Sequence, residues 1–246
     1  MSATPEQGCL RDCSSRARKA EKILAILRDY LGDDLSGLTC LDLGCYAGLI
    51  SQQLAQEMAQ VMGLDIDLGA LSAGQQQVES DNLEFVQATA ERLPFGDACF
   101  DVVVCAQVYE HAPDPEGMMA EVWRVLKNGG VCFFSGPNKL EFTEKHYHLP
   151  MLHWLPAPLA DAYLRLTGKG THYDVNPRSY WQLRWMLRRF EIIDYTTAIL
   201  QEPERYSCAD EIPASSWIRR IPRWVWERLI WVLPNYNWVL IKMGNR

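Results

Sequence analysis

The sequence predicts an α/β fold built on one doubly wound, largely parallel sheet. Apolar strand-like runs alternate with helical patterns from residue 15 to residue 135. The run at residues 39–43 stops at a glycine-bounded turn, and a helical pattern follows the turn directly. The run at residues 100–105 is apolar at five of its six positions, as a central parallel strand buried on both faces must be.

Length, charge and cysteine content limit the class of protein. The 246 residues suit one α/β domain with additions, and the net charge of −7 argues against nucleic acid as the main partner. No apolar run is long enough to span a bilayer, and residues 1–13 lack the apolar core of a secretory signal. The eight cysteines form no CxxC pair, and we interpret them as reduced thiols. These observations predict a cytoplasmic protein and leave attachment to a membrane surface open.

The first predicted helix begins at Ser14 or Ser15 and continues to about Leu31. Its apolar residues recur at helical spacing, while its charged residues lie elsewhere on the helix. We therefore expect it to pack across the sheet near the ligand-binding edge. Turn-forming residues at 32–37 separate it from the first strand.

The turn after the first strand indicates a cofactor site. The strand ends at Gly44, and we predict a helix from about residue 49 to residue 58. The backbone N–H groups of such a turn and the positive end of the helix dipole attract an anionic or carboxylate-bearing ligand. A second strand, 61–65, ends in Asp65, which lies about twenty residues further on, the spacing at which a carboxylate holds ribose hydroxyls. Together these features predict a nucleotide-type cofactor.

The alternation continues to the fifth strand, and polar residues follow the fourth strand at the edge where open α/β sheets bind ligands. Residues 127–130 (KNGG) are typical of the turn that ends a helix. The predicted elements are a helix at 68–78, strands at 83–87 and 100–105, a helix at 116–126 and a strand at 131–135.

Four segments, in this order along residues 38–138, resemble the class I S-adenosylmethionine-dependent methyltransferases: LDLGCYAG, GLDID, ATAERLPFGDACFDVVVCAQVYEH and RVLKNGGVCFFSGPN. The ordered set is far more specific than a glycine turn alone. The resemblance implies a Rossmann-like sheet of seven strands, with a last strand at 238–243 inserted antiparallel between strands five and six. It also implies S-adenosyl-L-methionine as the cofactor.

The length of the chain indicates a single domain over residues 1–246, with helical insertions after strands five and six. The insertion after strand six departs from the family, which often has only a short hairpin there. The parts of this domain would be a cofactor-binding core at 14–138, a substrate cap at 139–178 with a helix at 159–167, a helix at 180–189, a strand at 190–195, and a Trp/Arg-rich insertion at 197–235.

The resemblance assigns roles to individual residues. The turn at 44–48 would meet the methionine end of the cofactor, Asp65 would bind the ribose hydroxyls, and Ile66 would pack on the adenine. Two positions depart from the family pattern, because Tyr46 stands where a glycine is usual and Thr89 where an acidic residue contacts the adenine amine. The implied cofactor-binding residues are Asp42, Gly44, Cys45, Gly48, Asp65, Ile66, Ala90, Glu91 and Gln107.

The predicted cap concentrates histidine, aromatic and proline residues, which favours a role in binding substrate. His146, His148 and His153 could also be interpreted as metal ligands, but no cysteine or carboxylate completes a persuasive ligand set, and we predict no metal. The candidate substrate-binding residues are His146, His148, His153 and Trp154.

Residues 216–233 mix four tryptophans with four arginines, and two interpretations compete. Apolar residues at helical spacing favour a helix packed on the protein body or closing over the site as a lid. Tryptophan with arginine on an amphipathic segment is also typical of a membrane interface. We favour the first interpretation, although Pro222 interrupts any single long helix. The apolar positions in question are Trp217, Ile221, Trp224, Val225 and Leu229.

His111 is the candidate general base, because it follows the fourth strand at the ligand-binding edge and an imidazole titrates near neutral pH. The alternative is that Glu110 and His111 only hold the loop by hydrogen bonds. We predict methyl transfer to oxygen or carbon of a small acceptor, lipophilic or lipid-linked, such as a quinone precursor or a glycan intermediate. The alternatives are a non-catalytic cofactor-binding module and a nicotinamide-dependent oxidoreductase. Oligomeric state is left open.

Overall fold

The structure, a computed structural model, describes residues 5–78, 80–144 and 147–244, and for residues 5–14 it describes the backbone alone. Seven strands form the main sheet, and two short strands form a separate ribbon. The strands are β1 (Thr39–Leu43), β2 (Gln60–Asp65), β3 (Leu83–Gln87), β4 (Phe100–Ala106), β5 (Leu126–Pro137), β6 (Thr143–Glu144), β7 (Leu149–Pro150), β8 (Phe190–Asp194) and β9 (Asn235–Lys242).

The main sheet has the order β3-β2-β1-β4-β5-β9-β8. Strands β1 to β5 run parallel, and β9 pairs antiparallel with both β5 and β8. This confirms the predicted seven-stranded Rossmann-like sheet and the position of its last strand. Leu43 at the end of β1 lies beside Leu64 of β2 and Cys105 of β4, so the carboxyl ends of these three strands form one edge.

Two buried apolar clusters cover the two faces of the sheet. Neighbouring residues of β4 enter different clusters, Val103 one and Val104 the other, because successive side chains of a strand point to opposite faces. The helices are α1 (Pro5–Leu31), α2 (Leu49–Ala55), α3 (Leu68–Gln77), α4 (Pro115–Val125), α5 (Ala157–Thr167), α6 (Tyr180–Met186), α7 (Thr196–Gln201) and α8 (Arg223–Arg228). Helices α4 and α6 complete the first cluster, while α1, α2 and α7 complete the second.

The predicted turn at 127–130 is wrong, because these residues belong to β5. Leu126 ends α4 with an extended backbone (φ −67°, ψ 139°) and pairs directly with Phe100 of β4. The pairing register between β4 and β5 is irregular at these residues, and Gly129 there has a φ of 77°. Helix ends also differ: α1 begins earlier than predicted, and α2 and α6 end earlier.

Residues 216–233 form no continuous helix. It contains one 3-10 turn at Trp217–Arg220, then α8, then another 3-10 turn at Ile230–Val232, and Pro222 stands at the start of α8. The interruption at Pro222 is thus as predicted, but the favoured burial of the apolar positions is wrong for three of them. Trp217 is 67% exposed and Trp224 61% exposed, and Leu229 is exposed as well.

Among the described residues, no helix combines the length and apolar character that crossing a bilayer requires.

Candidate active site

The turn between β1 and α2 has an unusual backbone. Gly44 and Gly48 both have a φ of 72°, and Tyr46 between them has a φ of 53°. The backbone N–H groups of Gly44 and Cys45 both donate to the carbonyl of Leu64, at 2.8 and 3.0 Å. The turn is therefore held against the end of β2. Tyr46 adopts a left-handed conformation, which glycine would adopt at lower cost.

Gly44 and Gly48 are also required by space. A Cβ atom on Gly44 would lie 2.7 Å from Cγ2 of Val108, and one on Gly48 would lie 2.4 Å from Cζ of Phe85. Real Cβ atoms do not come so close to carbon. The turn is thus a cradle with no room for side chains at these two positions, and it fits the close approach of a ligand to the backbone.

Asp65 at the end of β2 has a firmly oriented carboxylate. Oδ2 accepts from the backbone N–H of Tyr46 at 2.7 Å, and Oδ1 accepts from that of Asp67 at 2.9 Å. Each oxygen retains a second lone pair, and Asp65 lines a cavity at the sheet edge. This geometry suits the predicted binding of ribose hydroxyls.

Asp42 lies beneath the turn. Its side chain is 3% exposed and accepts a 2.6 Å hydrogen bond from Oγ of Ser51. Burial raises its pKa from 3.8 to about 7; the Ser51 hydrogen bond and the charge of Arg16 oppose the rise, and the charge of Asp65 adds to it. Asp42 does not form part of the cavity wall.

The cofactor cavity has a volume of about 590 Å³ and lies at the carboxyl edge of β1, β2 and β4. Ile66 lies in its wall and is 68% exposed. Thr89 also lines the cavity, whereas Gly48 does not. The predicted residues that the structure brings together in this wall are Gly44, Cys45, Asp65, Ile66, Ala90, Glu91, Gln107 and His111.

Gln107 lies where the cofactor cavity meets a second cavity. It has a φ of 61°, and its Nε2 donates to Oδ1 of Asn235 at 2.9 Å and to Oγ of Ser135 at 3.2 Å. These bonds hold the side chain between β4, β5 and β9. Gln107 lines both cavities, together with Ala106 and Lys19.

The second cavity has a volume of about 570 Å³. Sequence analysis missed it, because its walls come from α1, β4, β5, α7 and β9 and meet only in the folded chain. The available signal was a pair of polar residues, Asn235 and Asn237, at the start of a strand that is otherwise largely apolar. The other lining residues that bear on its chemistry are Arg18, Lys22, Ile23, Phe133, Ser135, Ile199, Leu200, Asp210, Glu211, Ile212, Leu233 and Pro234.

Three candidate substrate residues of the cap, His148, His153 and Trp154, line neither of these two cavities. His153 is 5% exposed, and its Nδ1 lies 2.5 Å from the hydroxyl of Tyr173 within a small separate core. His148 is exposed, and Trp154 packs edge-on against Phe142. His146 lies outside the described residues. Over the part of the chain that is described, no three His, Cys, Asp or Glu side chains are placed to hold a metal ion.

Residues 41–134 match the methyltransferase domain family. The ubiquinone biosynthesis O-methyltransferase of Pseudomonas fluorescens strain SBW25 is 36% identical over 142 residues, which cover 56% of this chain and 57% of that protein. The enzyme of the same description from Acinetobacter baumannii strain AYE is 33% identical over 148 residues, covering 58% of this chain and 59% of that one. The chain thus matches somewhat more than half the length of these relatives.

Solved structures share the fold at low sequence identity. A putative S-adenosylmethionine-dependent methyltransferase from Listeria monocytogenes has a TM-score of 0.58 at 16% identity, over 93% of this chain and 100% of that chain. The [4+2]-cyclase SpnF has a TM-score of 0.58 at 19% identity, over 93% and 82%. At these identities the likeness shows the fold alone. The residues that match the methyltransferase domain family, 41–134, include both the glycine cradle and Asp65.

Proposed function

We propose that the chain transfers the methyl group of S-adenosyl-L-methionine to an oxygen of a small lipophilic acceptor. The observation that carries the proposal is the cofactor cavity on the glycine cradle and Asp65, which adjoins a second cavity of similar size at Gln107. The names of the relatives, ubiquinone biosynthesis O-methyltransferases, favour oxygen over carbon as the methylated atom and a quinone precursor as acceptor.

When bound, S-adenosyl-L-methionine supplies a methyl group that is already activated for in-line displacement. The residues of this chain would then bind and orient the cofactor and the acceptor and exclude water. The backbone of residues 44–48 would hold the methionine end, Asp65 would accept from the ribose hydroxyls, and Ile66 would cover one face of the adenine. Asp42, when ionised beneath the turn, would attract the cationic end of the cofactor through its charge.

We assign the role of general base to His111. It is exposed in the wall of the cofactor cavity, and its backbone N–H donates to the carbonyl of Val108 at 3.0 Å. His111 would take the proton that the acceptor hydroxyl loses as the new oxygen–carbon bond forms and the sulfonium bond breaks. If Glu110 and His111 only hold this loop, His111→Ala would leave turnover unchanged.

The proposal is tested by calorimetric titration with S-adenosylmethionine, S-adenosylhomocysteine and NADH, followed by turnover on a catechol probe. We expect both sulfur nucleotides to bind, NADH not to bind, and Asp65→Ala to abolish binding, because it removes the carboxylate that meets the ribose. Binding of NADH alone, or of no nucleotide, would overturn the proposal. Cofactor binding without turnover on any acceptor would favour a non-catalytic module instead.

We further propose that residues 216–233 make peripheral contact with a membrane surface. Trp217, Trp224 and Trp231 are exposed, and the segment carries four arginines and one glutamate in a chain of net charge −7. Trp231 lies 5.6 Å, ring centre to ring centre, from the exposed Trp181 of α6, which extends the aromatic surface beyond the segment. Exposed tryptophan with arginine suits an anionic lipid interface. That residues 139–178 cap the acceptor stays a prediction.

A further inference from the structure

We propose that the second cavity is the acceptor site, and that it binds a mainly apolar molecule through a hydroxyl group placed between Ser135 and Gln107, other than the hydroxyl that His111 would deprotonate. This inference rests on the proposed methyl transfer and adds to it the location and chemical class of the acceptor.

Position is the first argument. The second cavity lies over the carboxyl ends of β4 and β5 and the start of β9, and it shares the wall residues Lys19, Ala106 and Gln107 with the cofactor cavity. A molecule in the second cavity therefore meets a molecule in the cofactor cavity at Gln107. Its volume, about 570 Å³, falls within the range of small-molecule sites.

Hydrogen bonding at Ser135 is the second argument. Its Oγ accepts from Nε2 of Gln107 at 3.2 Å and from Nδ2 of Asn235 at 3.3 Å. A hydroxyl oxygen has two lone pairs, so both are engaged, and the O–H of Ser135 is left to act as a donor. Ser135 lines the cavity, and its O–H can therefore donate to an oxygen of a bound molecule.

The amide groups around Ser135 have a defined orientation. Nδ2 of Asn235 also donates to the carbonyl of Tyr236 at 3.1 Å, while its Oδ1 accepts from Nε2 of Gln107 at 2.9 Å. These bonds determine which end of each amide is oxygen. The amide oxygen of Gln107, which takes no part in them, is placed to accept an O–H. A donor on Ser135 and an acceptor on Gln107 together match a neutral hydroxyl group.

The remaining walls are suited to an apolar body. Two ion pairs join α1 to the opposite rim, Lys22 with Glu211 at 3.0 Å and Arg18 with Asp210 at 3.4 Å. Because these paired charges offset each other, the two ion pairs do not favour a strongly ionic ligand. The apolar residues of the wall come from five parts of the chain: Ile23, Phe133, Ile199, Leu200, Ile212, Leu233 and Pro234.

The experiment uses the full chain saturated with S-adenosylhomocysteine and titrates 4-hexylcatechol and hexylbenzene as probes. We expect 4-hexylcatechol to bind at least tenfold more tightly than hexylbenzene, because only the catechol can use Ser135 and Gln107. Ser135→Ala should weaken binding of 4-hexylcatechol about fivefold to tenfold and leave hexylbenzene unaffected. Leu200→Trp should abolish binding of both probes by filling the cavity.

Ser72→Ala on α3 is the matched control, since Ser72 lines neither cavity. S-adenosylhomocysteine should bind every variant as it binds the wild type, which also reports folding. If Ser135→Ala weakens binding of S-adenosylhomocysteine, only the result for Leu200→Trp is used to test the acceptor assignment. Unchanged affinity for 4-hexylcatechol in Leu200→Trp, or no preference for it over hexylbenzene in the wild type, overturns the acceptor assignment. Failure of the wild type to bind S-adenosylhomocysteine overturns the proposed function itself.

Discussion

The carboxylate of Asp65 accepts a 2.7 Å hydrogen bond from the backbone N–H of Tyr46, so the end of β2 directly supports the turn after β1. Since the other oxygen accepts from Asp67, an amide cannot replace the carboxylate without turning its NH2 group toward a donor. We predict that Asp65→Asn weakens binding of S-adenosylmethionine at least tenfold, about 1.4 kcal/mol. Calorimetry measures this, with the exposed Asp81→Asn as control. Equal affinity of the two variants would contradict the ribose assignment.

Gly48→Ala should destabilise the fold. The new Cβ would meet the ring of Phe85 at 2.4 Å, and alanine is strained at a φ of 72°. We expect the free energy of unfolding to fall by about 2 kcal/mol or more. Urea unfolding measures the change. Adding Phe85→Leu should restore part of the loss, because it removes the contact and leaves only the backbone strain; a double variant no better than the single one would count against the packing argument.

Asp42 should make stability depend on pH. Its pKa is raised to about 7 in the folded chain against 3.8 as the ordinary value, so between these pH values the unfolded chain gives up a proton that the folded chain keeps. The unfolding free energy should therefore fall as pH rises from about 4 to about 7. Asp42→Asn should remove this part of the slope and be more stable relative to wild type at about pH 8 than at about pH 5. If the urea unfolding midpoints of the wild type and of Asp42→Asn change equally with pH, the effect is ruled out.

His111→Ala should lower turnover about a hundredfold while affinity for S-adenosylmethionine stays nearly constant. The reason is that a general base acts on the acceptor proton and contributes little to holding the nucleotide. Initial rates on a catechol probe, with calorimetry on the same preparation, separate the two quantities. Turnover equal to that of the wild type would leave His111 with only the loop-holding role.

Exposed tryptophans of the 216–233 segment should control binding to lipid. Trp217→Ala with Trp224→Ala should reduce co-sedimentation with vesicles of phosphatidylglycerol and phosphatidylcholine at least threefold, because two interfacial side chains are lost. Trp154→Ala, which removes an exposed tryptophan of another segment, serves as the control. A similar loss in the control, or no binding by the wild type, would refute the membrane proposal.

Local sequence was enough for the cofactor half of the molecule. The strand at 39–43, its glycine turn and Asp65 lie within thirty residues of one another, and periodicity with turn chemistry determines how such elements connect. Neither periodicity nor turn chemistry predicts the second cavity. Ser135 and Asn235 are one hundred residues apart and meet only because β9 pairs with β5. His153, which sequence analysis assigns to substrate binding, is buried in a small core, and its role in binding stays a prediction.

The match to the methyltransferase domain family ends at residue 134, and the next residue is Ser135, the hydroxyl donor of the second cavity. The proposed nucleotide-binding residues thus precede most of the proposed acceptor wall along the chain. A chimaera that replaces residues 135–244 with the corresponding segment of another methyltransferase would retain the nucleotide cradle and acquire most of a different acceptor wall. The wall residues from α1, together with Ala106, Gln107 and Phe133, would remain those of the present chain.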